Sequence, residues 1–312
     1  MQGGVSDKLS GLTVGADYYV QADGSVQSPT ASAPYILSGA SYDSVSFSVN
    51  SQEPAPNAVV FNPTGTKMFV VGQTNNTVYE YALSTEFDLS TASYTQSFSV
   101  SAQSAYSVGL AFNLDGTKMF VADYTNSNVY EYALSTGFNV STASYTQTLS
   151  VSTQSSGPSG LVFNLDGTKM FITAFTGQDV NEYSLSTAFD ISTATYSQNF
   201  STASQETEPQ ETVFSSNGKK MFVVGSNTST IYEYSLSTGY DISTASYSSI
   251  SFSVSSQEAQ SRGLAFNSSG NKFFMCGGFS GGAVYQYSTG VGSATSVPAG
   301  RALSSTSILL EG

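Results

Sequence analysis

The sequence contains no histidine and no tryptophan, and Cys276 is its single cysteine. Histidine is the commonest general base and the commonest metal ligand in proteins, so its absence argues against the usual hydrolytic and metal sites. A lone cysteine cannot form an internal disulfide, and its apolar setting in Phe273–Cys276 predicts a small core residue. We therefore expect no catalytic constellation, no metal and no cofactor.

Charge is also scarce, and most of it is negative. Only 10% of the residues are charged, and 9 basic residues against 22 acidic ones give a net charge of −13. Nucleic-acid binding needs basic patches, which this balance disfavours. No stretch approaches the roughly 18 apolar residues of a membrane helix, and the first residues lack the basic segment and apolar run of a secretory signal. We expect a protein that neither binds nucleic acid nor inserts into a membrane.

What the chain does contain is a repeat. A Phe-Asn-x-x-Gly-x-Lys-Met-Phe-like segment recurs at spacings of 51, 51, 51 and 52 residues. Its five anchoring phenylalanines are Phe61, Phe112, Phe163, Phe214 and Phe266. Sustained helical spacing of apolar residues is missing, while Ser, Thr, Gly, Tyr and Phe abound, so the chain is predicted to be all-β with almost no helix.

Each unit contains four predicted strands, A to D, with a Gly turn between A and B. Four strands per unit of about 40–50 residues are typical of a β-propeller blade. The fifth unit stops after strand C, and the missing D strand stands before the first unit, from residue 40 to Val49. A solenoid is the alternative fold, but only a ring uses that permutation. We predict a five-bladed β-propeller over residues 40–287, inserted in a small β-module of residues 1–39 and 288–312.

Two recurring side chains are predicted to hold the ring together. A lysine lies six residues after each anchor, and a glutamate lies in strand C of four units, with Gln286 in the fifth. The lysines are Lys67, Lys118, Lys169, Lys220 and Lys272, and the glutamates are Glu80, Glu131, Glu182 and Glu233. We favour structural ion pairs between packed blades over a ring of ligand-binding charges, because half-buried charges persist when paired.

Recognition is predicted where the blades differ. In a propeller the D–A and B–C loops share one face, here the upper face, and the A–B and C–D loops share the lower face, from which the chain ends leave. On the upper face Glu53, Glu206 and Glu258 follow a recurring glutamine that is interpreted as a loop brace. Blades two and three carry aromatic and polar residues instead, and these are the candidate ligand-binding residues: Tyr106, Asp123, Tyr124, Asn126, Asn128, Phe175, Gln178 and Asp179.

Aromatic rings flanked by amides and carboxylates suit a sugar, since the rings stack on its apolar face and the polar groups bind its hydroxyls. An equally simple interpretation is that these aromatics pack only on their own blade. The acidic side has no ligand spacing for a cation. Paired carboxylates near the channel would indicate a glycosidase, but Glu211 has only Glu206 and Glu208 nearby and no partner on an opposite blade.

The segments outside the ring resemble a small module of bacteriophage tail and virion proteins. The resemblance is carried by the Gly-Leu-Thr-x-Gly-x-x-Tyr-Tyr-Val-Gln-x-Asp-Gly text of residues 11–24 and the Ala-Gly-x-Ala-Leu-Ser-x-Thr text of residues 299–306. The repeats are similar to propeller repeats of phage and environmental bacterial proteins. Those repeats often have Trp at a position where this chain has another aromatic residue. The departures are Phe87, Phe138, Phe189 and Tyr240.

The resemblance covers nearly the whole chain, and it implies a non-enzymatic virion component, outside the cell, whose small module contacts other virion proteins. We expect the propeller to bind a host surface receptor or glycan and the assembly to be oligomeric. Two alternatives remain open, namely a purely structural decoration or spacer without a ligand, and a five-bladed glycosidase-like enzyme. No catalytic residue is implied by the resemblance.

Overall fold

The computed structural model describes residues 35–278 and 281–290 in full, together with five terminal strands. Within these residues the chain is all-β and forms five four-stranded antiparallel blades arranged as a five-bladed propeller. In the described ranges the helical content is limited to four 3₁₀ turns, Leu89–Thr91, Val140–Thr142, Ile191–Thr193 and Ile242–Thr244. The described part of the chain contains no helix long and apolar enough to span a bilayer.

The strands follow the predicted four-per-unit order. In chain order they are β1 (Val5–Ser6), β2 (Asp17–Val20), β3 (Val26–Gln27), β4 (Ser41–Ser48), β5 (Pro56–Phe61), β6 (Lys67–Gly72), β7 (Thr77–Leu83), β8 (Ala92–Ser99), β9 (Ser107–Phe112), β10 (Lys118–Asp123), β11 (Asn128–Leu134), β12 (Ala143–Ser150), β13 (Pro158–Phe163), β14 (Lys169–Ala174), β15 (Asp179–Leu185), β16 (Ala194–Ser201), β17 (Pro209–Phe214), β18 (Lys220–Gly225), β19 (Thr230–Leu236), β20 (Ala245–Ser253), β21 (Ser261–Phe266), β22 (Lys272–Gly277), β23 (Ala283–Ser288), β24 (Val297–Ala302) and β25 (Ile308–Leu310).

The ring closes as the repeat predicts. Blades one to four are β5–β8, β9–β12, β13–β16 and β17–β20, and the fifth combines β21–β23 with β4. Strand β4 pairs antiparallel with β23, placing Tyr42 opposite Tyr287 and Val45 opposite Gln286. The outermost strand of the last blade thus comes from the start of the ring, which ties both ends of the propeller together.

The burial of each strand explains its sequence. The second strand of a blade, such as Lys67–Gly72, is buried along nearly its whole length because neighbouring blades cover both of its faces. The outermost strand, such as Ala92–Ser99, alternates between exposed and half-buried side chains. Cys276 lies in the buried second strand of blade five at 0% exposure, which confirms it as a core residue.

A plug aromatic follows strand C in each of the first four blades and lies on the A–B turn. Phe87 has a φ of 53° and donates its N–H to the Gly65 carbonyl at 3.0 Å. Gly65 itself has a φ of +70°, and a Cβ there would overlap the Phe87 ring. Both the backbone and the ring therefore require glycine at this turn. In blade five Tyr35, from the segment before β4, takes the same place with a φ of 65° and a bond to Gly270.

The recurring lysine lies at the seam between two blades. Lys67 Nζ lies 2.7 Å from Glu80 Oε1 of its own blade and donates to the Phe138 carbonyl of the next blade at 2.6 Å. Glu80 Oε2 accepts from Gln96 Nε2 at 2.8 Å and from the Val140 N–H of the next blade at 3.1 Å. The ion pair therefore lies within one blade, and it connects to the next blade through backbone groups rather than through a second side-chain charge.

This lysine contact runs around the whole ring. The lysine-to-carbonyl bonds are Lys67 to Phe138, Lys118 to Phe189, Lys169 to Tyr240, Lys220 to Tyr35 and Lys272 to Phe87. Four of these lysines pair with a strand C glutamate at 2.7–3.0 Å. In blade five Gln286 accepts from the Leu89 N–H and donates to Asp43 of the closing strand. The amide therefore lies on strand C and the acid on strand D, which is the reverse of their placement in blades one to three.

The terminal segments contribute a separate five-stranded sheet in the order β1-β25-β24-β2-β3. Strand β2 pairs antiparallel with β3 and with β24, so segments from both ends of the chain share this sheet. The division of the chain into two domains, and the role of residues 1–39 and 288–312 in contacts with other virion proteins, stay predictions.

Replacing Glu80 by alanine is expected to lower the free energy of unfolding by about 2–4 kcal/mol, because Lys67 loses its ion pair, Gln96 loses one of its two acceptors and the buried Val140 N–H loses its carboxylate acceptor. Glu86 is exposed in the same blade and provides the matched control, with an expected change within about 0.5 kcal/mol. Urea unfolding of both variants measures the difference. Equal effects of the two substitutions would contradict a structural role for the seam.

Candidate functional site

Three of the predicted ligand-binding residues form one aromatic cluster on the upper face. The ring centroids of Tyr106 and Tyr124 are 5.5 Å apart, and those of Tyr124 and Phe175 are 6.2 Å apart in a T-shaped arrangement. Tyr124 is 36% exposed, and Tyr106 and Phe175 are half-buried. The structure thus joins blades two and three through a continuous, partly exposed aromatic surface, which we name the aromatic cluster.

Backbone contacts fix the loops that carry the cluster. Tyr124 donates its N–H to the Tyr106 carbonyl at 3.0 Å, and Phe175 donates to the Gly157 carbonyl at 2.9 Å. A Cβ at Gly157 would lie 2.6 Å from Thr176 Oγ1 and 3.1 Å from the Tyr124 ring. Glycine at this position therefore lets the Tyr124 ring of blade two lie against the loop of blade three.

Asp123 lies beneath the cluster rather than on its surface. Its side chain is fully buried, Oδ2 accepts from the Ala105 N–H at 2.6 Å, and Oδ1 accepts from the Asn126 N–H at 2.8 Å. Oδ2 also accepts a hydrogen bond from the Tyr106 N–H at 3.4 Å. The buried carboxylate therefore positions the loops on both sides of the cluster, and its predicted direct contact with a ligand remains a prediction.

Blade one shows the same bracing with a different pair of residues. Glu53 Oε1 accepts from the Ala55 and Thr74 N–H groups at 3.0 and 3.2 Å, and a side chain at Gly72 would overlap Glu53. Glu206 with Gly225 and Glu258 with Gly277 repeat this close approach in blades four and five. These three glutamates form the acidic side of the upper face in the sequence. In the structure they are buried and brace the loops that carry them.

Blade two therefore exchanges Glu and Gly for Ser104 and Asp123. The carboxylate moves from the D–A loop to the end of strand B and still binds the same loop backbone. The spacing of 51 residues places Ser104 at the position of Glu53 and Asp123 at that of Gly72, so the sequence contains the signal of this exchange, although it was not among the predictions.

The predicted amides of blade two lie beside the cluster and bind its support. Asn126 Nδ2 donates to Asp123 Oδ2 at 3.2 Å and to the Tyr130 hydroxyl at 3.3 Å. Asn128 Nδ2 donates to the same hydroxyl at 3.2 Å. Asn126 is nonetheless exposed. Its side-chain nitrogen makes the two donor bonds, and its side-chain carbonyl oxygen takes no part in them.

In blade three Asp179 is buried and Gln178 is half-buried. Asp179 accepts from Asn181 Nδ2 at 2.9 Å and from Asn199 Nδ2 at 2.6 Å. Gln178 has a φ of 53°, and its carbonyl accepts from the Thr202 N–H at 2.8 Å. Asp179 thus has amide partners within its own blade, and the Gln178 backbone closes the loop beside Phe175.

The recurring glutamines act as loop braces, as predicted, in four blades. Their side-chain carbonyls accept from a buried strand C tyrosine at 3.2–3.4 Å, in the pairs Gln103–Tyr132, Gln154–Tyr183, Gln205–Tyr234 and Gln257–Tyr287.

A cavity of about 460 Å³ opens at the lower face, away from the aromatic cluster. Innermost strands and A–B turns of all five blades line it, and the exposed side chains of Leu114 and Leu165 stand at its rim. Glu211 lines the cavity and is 4% exposed. Burial raises the pKa of its carboxyl well above the ordinary value, and N–H bonds from Thr212 and Leu161 offset only part of that effect.

Among the described residues that line this cavity, Glu211 is the one carboxyl group, so these residues form no pair of carboxylates of the kind glycosidases use.

The chain matches no protein-family model and no curated protein. A protein of unknown function from Desulfotomaculum acetoxidans is similar over 77% of this chain and 72% of its own, at 16% identity and a TM-score of 0.47. A Bacteroides uniformis protein provisionally assigned as a 6-phosphogluconolactonase is similar over 79% and 71%, at 14% identity and 0.47. The propeller domain of Cps50 (Swd1) from Myceliophteria thermophila is similar over 80% and 99%, at 11% identity and 0.47. Likeness at this level carries no argument about function.

If Asp123 braces the loop, a glutamate introduced at Ser104 is expected to restore the stability that is lost when Asp123 is removed. Asp123→Gly is expected to lower the free energy of unfolding by about 1–3 kcal/mol, because three part-buried backbone N–H groups lose their buried acceptor. Adding Ser104→Glu recreates the arrangement of Glu53 with Gly72 and is expected to restore most of that loss. Urea unfolding of both variants provides the comparison. If the double variant is no more stable than Asp123→Gly, the brace is not interchangeable.

Glu211→Gln is expected to raise the free energy of unfolding near pH 7 and to change it little near pH 4. The folded pKa of Glu211 lies above its ordinary value of 4.5, so the wild type loses stability as the pH rises from that value towards the folded pKa. Each unit of difference corresponds to about 1.4 kcal/mol. Thermal and urea unfolding across this pH range measure the gap between the proteins, and a gap independent of pH would contradict the burial of an uncompensated carboxyl.

Proposed function

We propose that this chain is a bacteriophage virion component whose propeller binds a glycan receptor on the host surface through the aromatic cluster. The single observation that carries the binding site is the contiguous surface of Tyr106, Tyr124 and Phe175, partly exposed across two blades. Repeated positions hold the ring, whereas among the described residues this surface is formed by two blades.

The chemistry of the cluster favours a sugar. A pyranose presents an apolar C–H face that stacks on an aromatic ring, and its hydroxyls need hydrogen-bonding groups around that ring. Asn126 is exposed beside the cluster, and Gln178 is half-buried at its other end. Because Asp123 already fixes the loop backbone, the rings keep their positions without a ligand, which lowers the entropy cost of binding.

The virion assignment rests on the sequence of the flanking segments and on the type of repeat. We propose that residues 1–39 and 288–312 contact other virion proteins, that the chain acts outside the cell on an assembled particle, and that the assembly is oligomeric. Host binding by the propeller would give such a particle its receptor specificity.

The test is binding of the purified chain to a glycan array and to whole bacterial cells. The Tyr124→Ala/Phe175→Ala double variant is expected to lose about tenfold or more in affinity, because each stacked ring contributes about 0.5–1.5 kcal/mol beyond its buried area. The matched control is Tyr145→Ala/Tyr196→Ala, which removes two exposed tyrosines from outermost strands and is expected to bind like the wild type.

The outcome separates the three functions considered. Binding that the cluster variant loses and the control keeps supports a receptor-binding protein. Absence of binding by the folded wild type to any cell or glycan favours a purely structural decoration. Shortening of the bound polysaccharide during incubation would instead indicate an enzyme and overturn the non-enzymatic proposal.

A further inference from the structure

One position in the channel breaks the fivefold repeat. The residue three places before each phenylalanine anchor is small in four blades, and these are Ala58, Gly109, Gly160 and Gly263. In blade four it is Glu211. A Cβ at Gly160 would collide with Glu211 Oε1, so the glycine of blade three leaves the space in which the carboxyl lies.

Backbone hydrogen bonds hold the carboxyl, and it has no counter-ion among the described residues of the cavity lining. Glu211 Oε1 accepts from the Thr212 N–H at 2.9 Å, and Leu161 donates a further backbone bond. The described residues that line the cavity include neither lysine nor arginine. A carboxyl in this position costs stability, and a glycine of the kind found in the other blades would avoid that cost.

We propose that the cavity binds an organic ammonium ion, with the apolar body of the ligand in the channel and its nitrogen against Glu211. A volume of about 460 Å³ suits a small organic molecule. The five anchoring phenylalanines and several plug aromatics line the same cavity, and aromatic faces attract cations. A neutral apolar ligand needs no carboxyl, whereas an ammonium ion supplies the charge that the buried carboxylate lacks.

The two phenols that line the cavity and the nearby Cys276 thiol stay neutral up to about pH 9. Burial raises the pKa of Tyr240 to about 12 and also raises that of Tyr35, so both phenols that line the cavity stay neutral. Burial likewise raises the pKa of the Cys276 thiol to about 12. Glu258 and Arg262 of blade five act electrostatically on that thiol, as does Glu211. Ammonium binding is therefore expected to follow the ionisation of Glu211.

The test compares phenethylamine with 2-phenylethanol, which has the same apolar body without the charge, by isothermal titration calorimetry. At pH 8 the wild type is expected to bind the amine at least tenfold more tightly than the alcohol. Below the pKa of Glu211 the affinity for the amine is expected to fall about tenfold per pH unit, because binding must then release the carboxyl proton. The affinity for the alcohol is expected to stay constant.

Two variants test whether the preference for the amine depends on Glu211. Glu211→Gln is expected to fold, since it is isosteric and uncharged, and to bind both probes equally. Glu208→Gln removes a blade-four carboxylate that bonds Ser226 Oγ outside the cavity, and it is expected to leave the affinity for the amine unchanged.

Failure of the wild type to bind the amine at millimolar concentration overturns the proposal. A preference for the amine that survives in Glu211→Gln, or equal binding of the two probes to the wild type at pH 8, overturns it as well. If Glu211→Gln does not fold, the pH dependence of the wild type decides, and an affinity for the amine that stays constant between pH 4 and pH 8 contradicts the site. None of these outcomes depends on glycan binding at the upper face.

Discussion

The contact on which the ring depends is the lysine ammonium at each seam between blades. It donates to a backbone carbonyl of the next blade, and in four of the five blades it also pairs with a buried carboxylate of its own blade, as Lys67 does with Phe138 and Glu80. The same carboxylate accepts the Val140 N–H of the next blade, so charge and backbone are satisfied together. Because this unit recurs around the ring, the residues that form it are committed to structure, and recognition must use positions at which the blades differ.

Much of the fold was predictable from the sequence because the repeat determines the number of blades and the way the ring closes. The spacing of the phenylalanine anchors gave the number of blades, and the strand before the first unit gave the closure that β4 forms with β23. The role of charged loop residues was not predictable in the same way. Glu53 and Asp123 look like exposed loop acids in a sequence, yet both are buried under backbone N–H groups, and only their exchange with Gly72 and Ser104 signals a shared task.

The two faces of the ring depart from the repeat in different ways. The upper face replaces polar loop residues with Tyr106, Tyr124 and Phe175, which meet across two blades. The lower face keeps an apolar cavity lined by the Glu211 carboxyl, at a position where the other blades have glycine or alanine. The sequence indicated the first departure as a cluster of candidate residues. It indicated the second as an acid without a partner near the channel end of blade four, but it did not show the cavity that this acid lines.

The central functional claim is that the aromatic cluster contacts the receptor, and fluorine NMR of protein labelled with 3-fluorotyrosine tests it directly. Signals are assigned with single Tyr→Phe variants and followed during titration with the glycan that binds most strongly on the array. The account predicts that the Tyr106 and Tyr124 signals shift with saturation while those of Tyr145 and Tyr196, on outermost strands, do not. Binding that shifts Tyr145 or Tyr196 and leaves Tyr124 unchanged would contradict it.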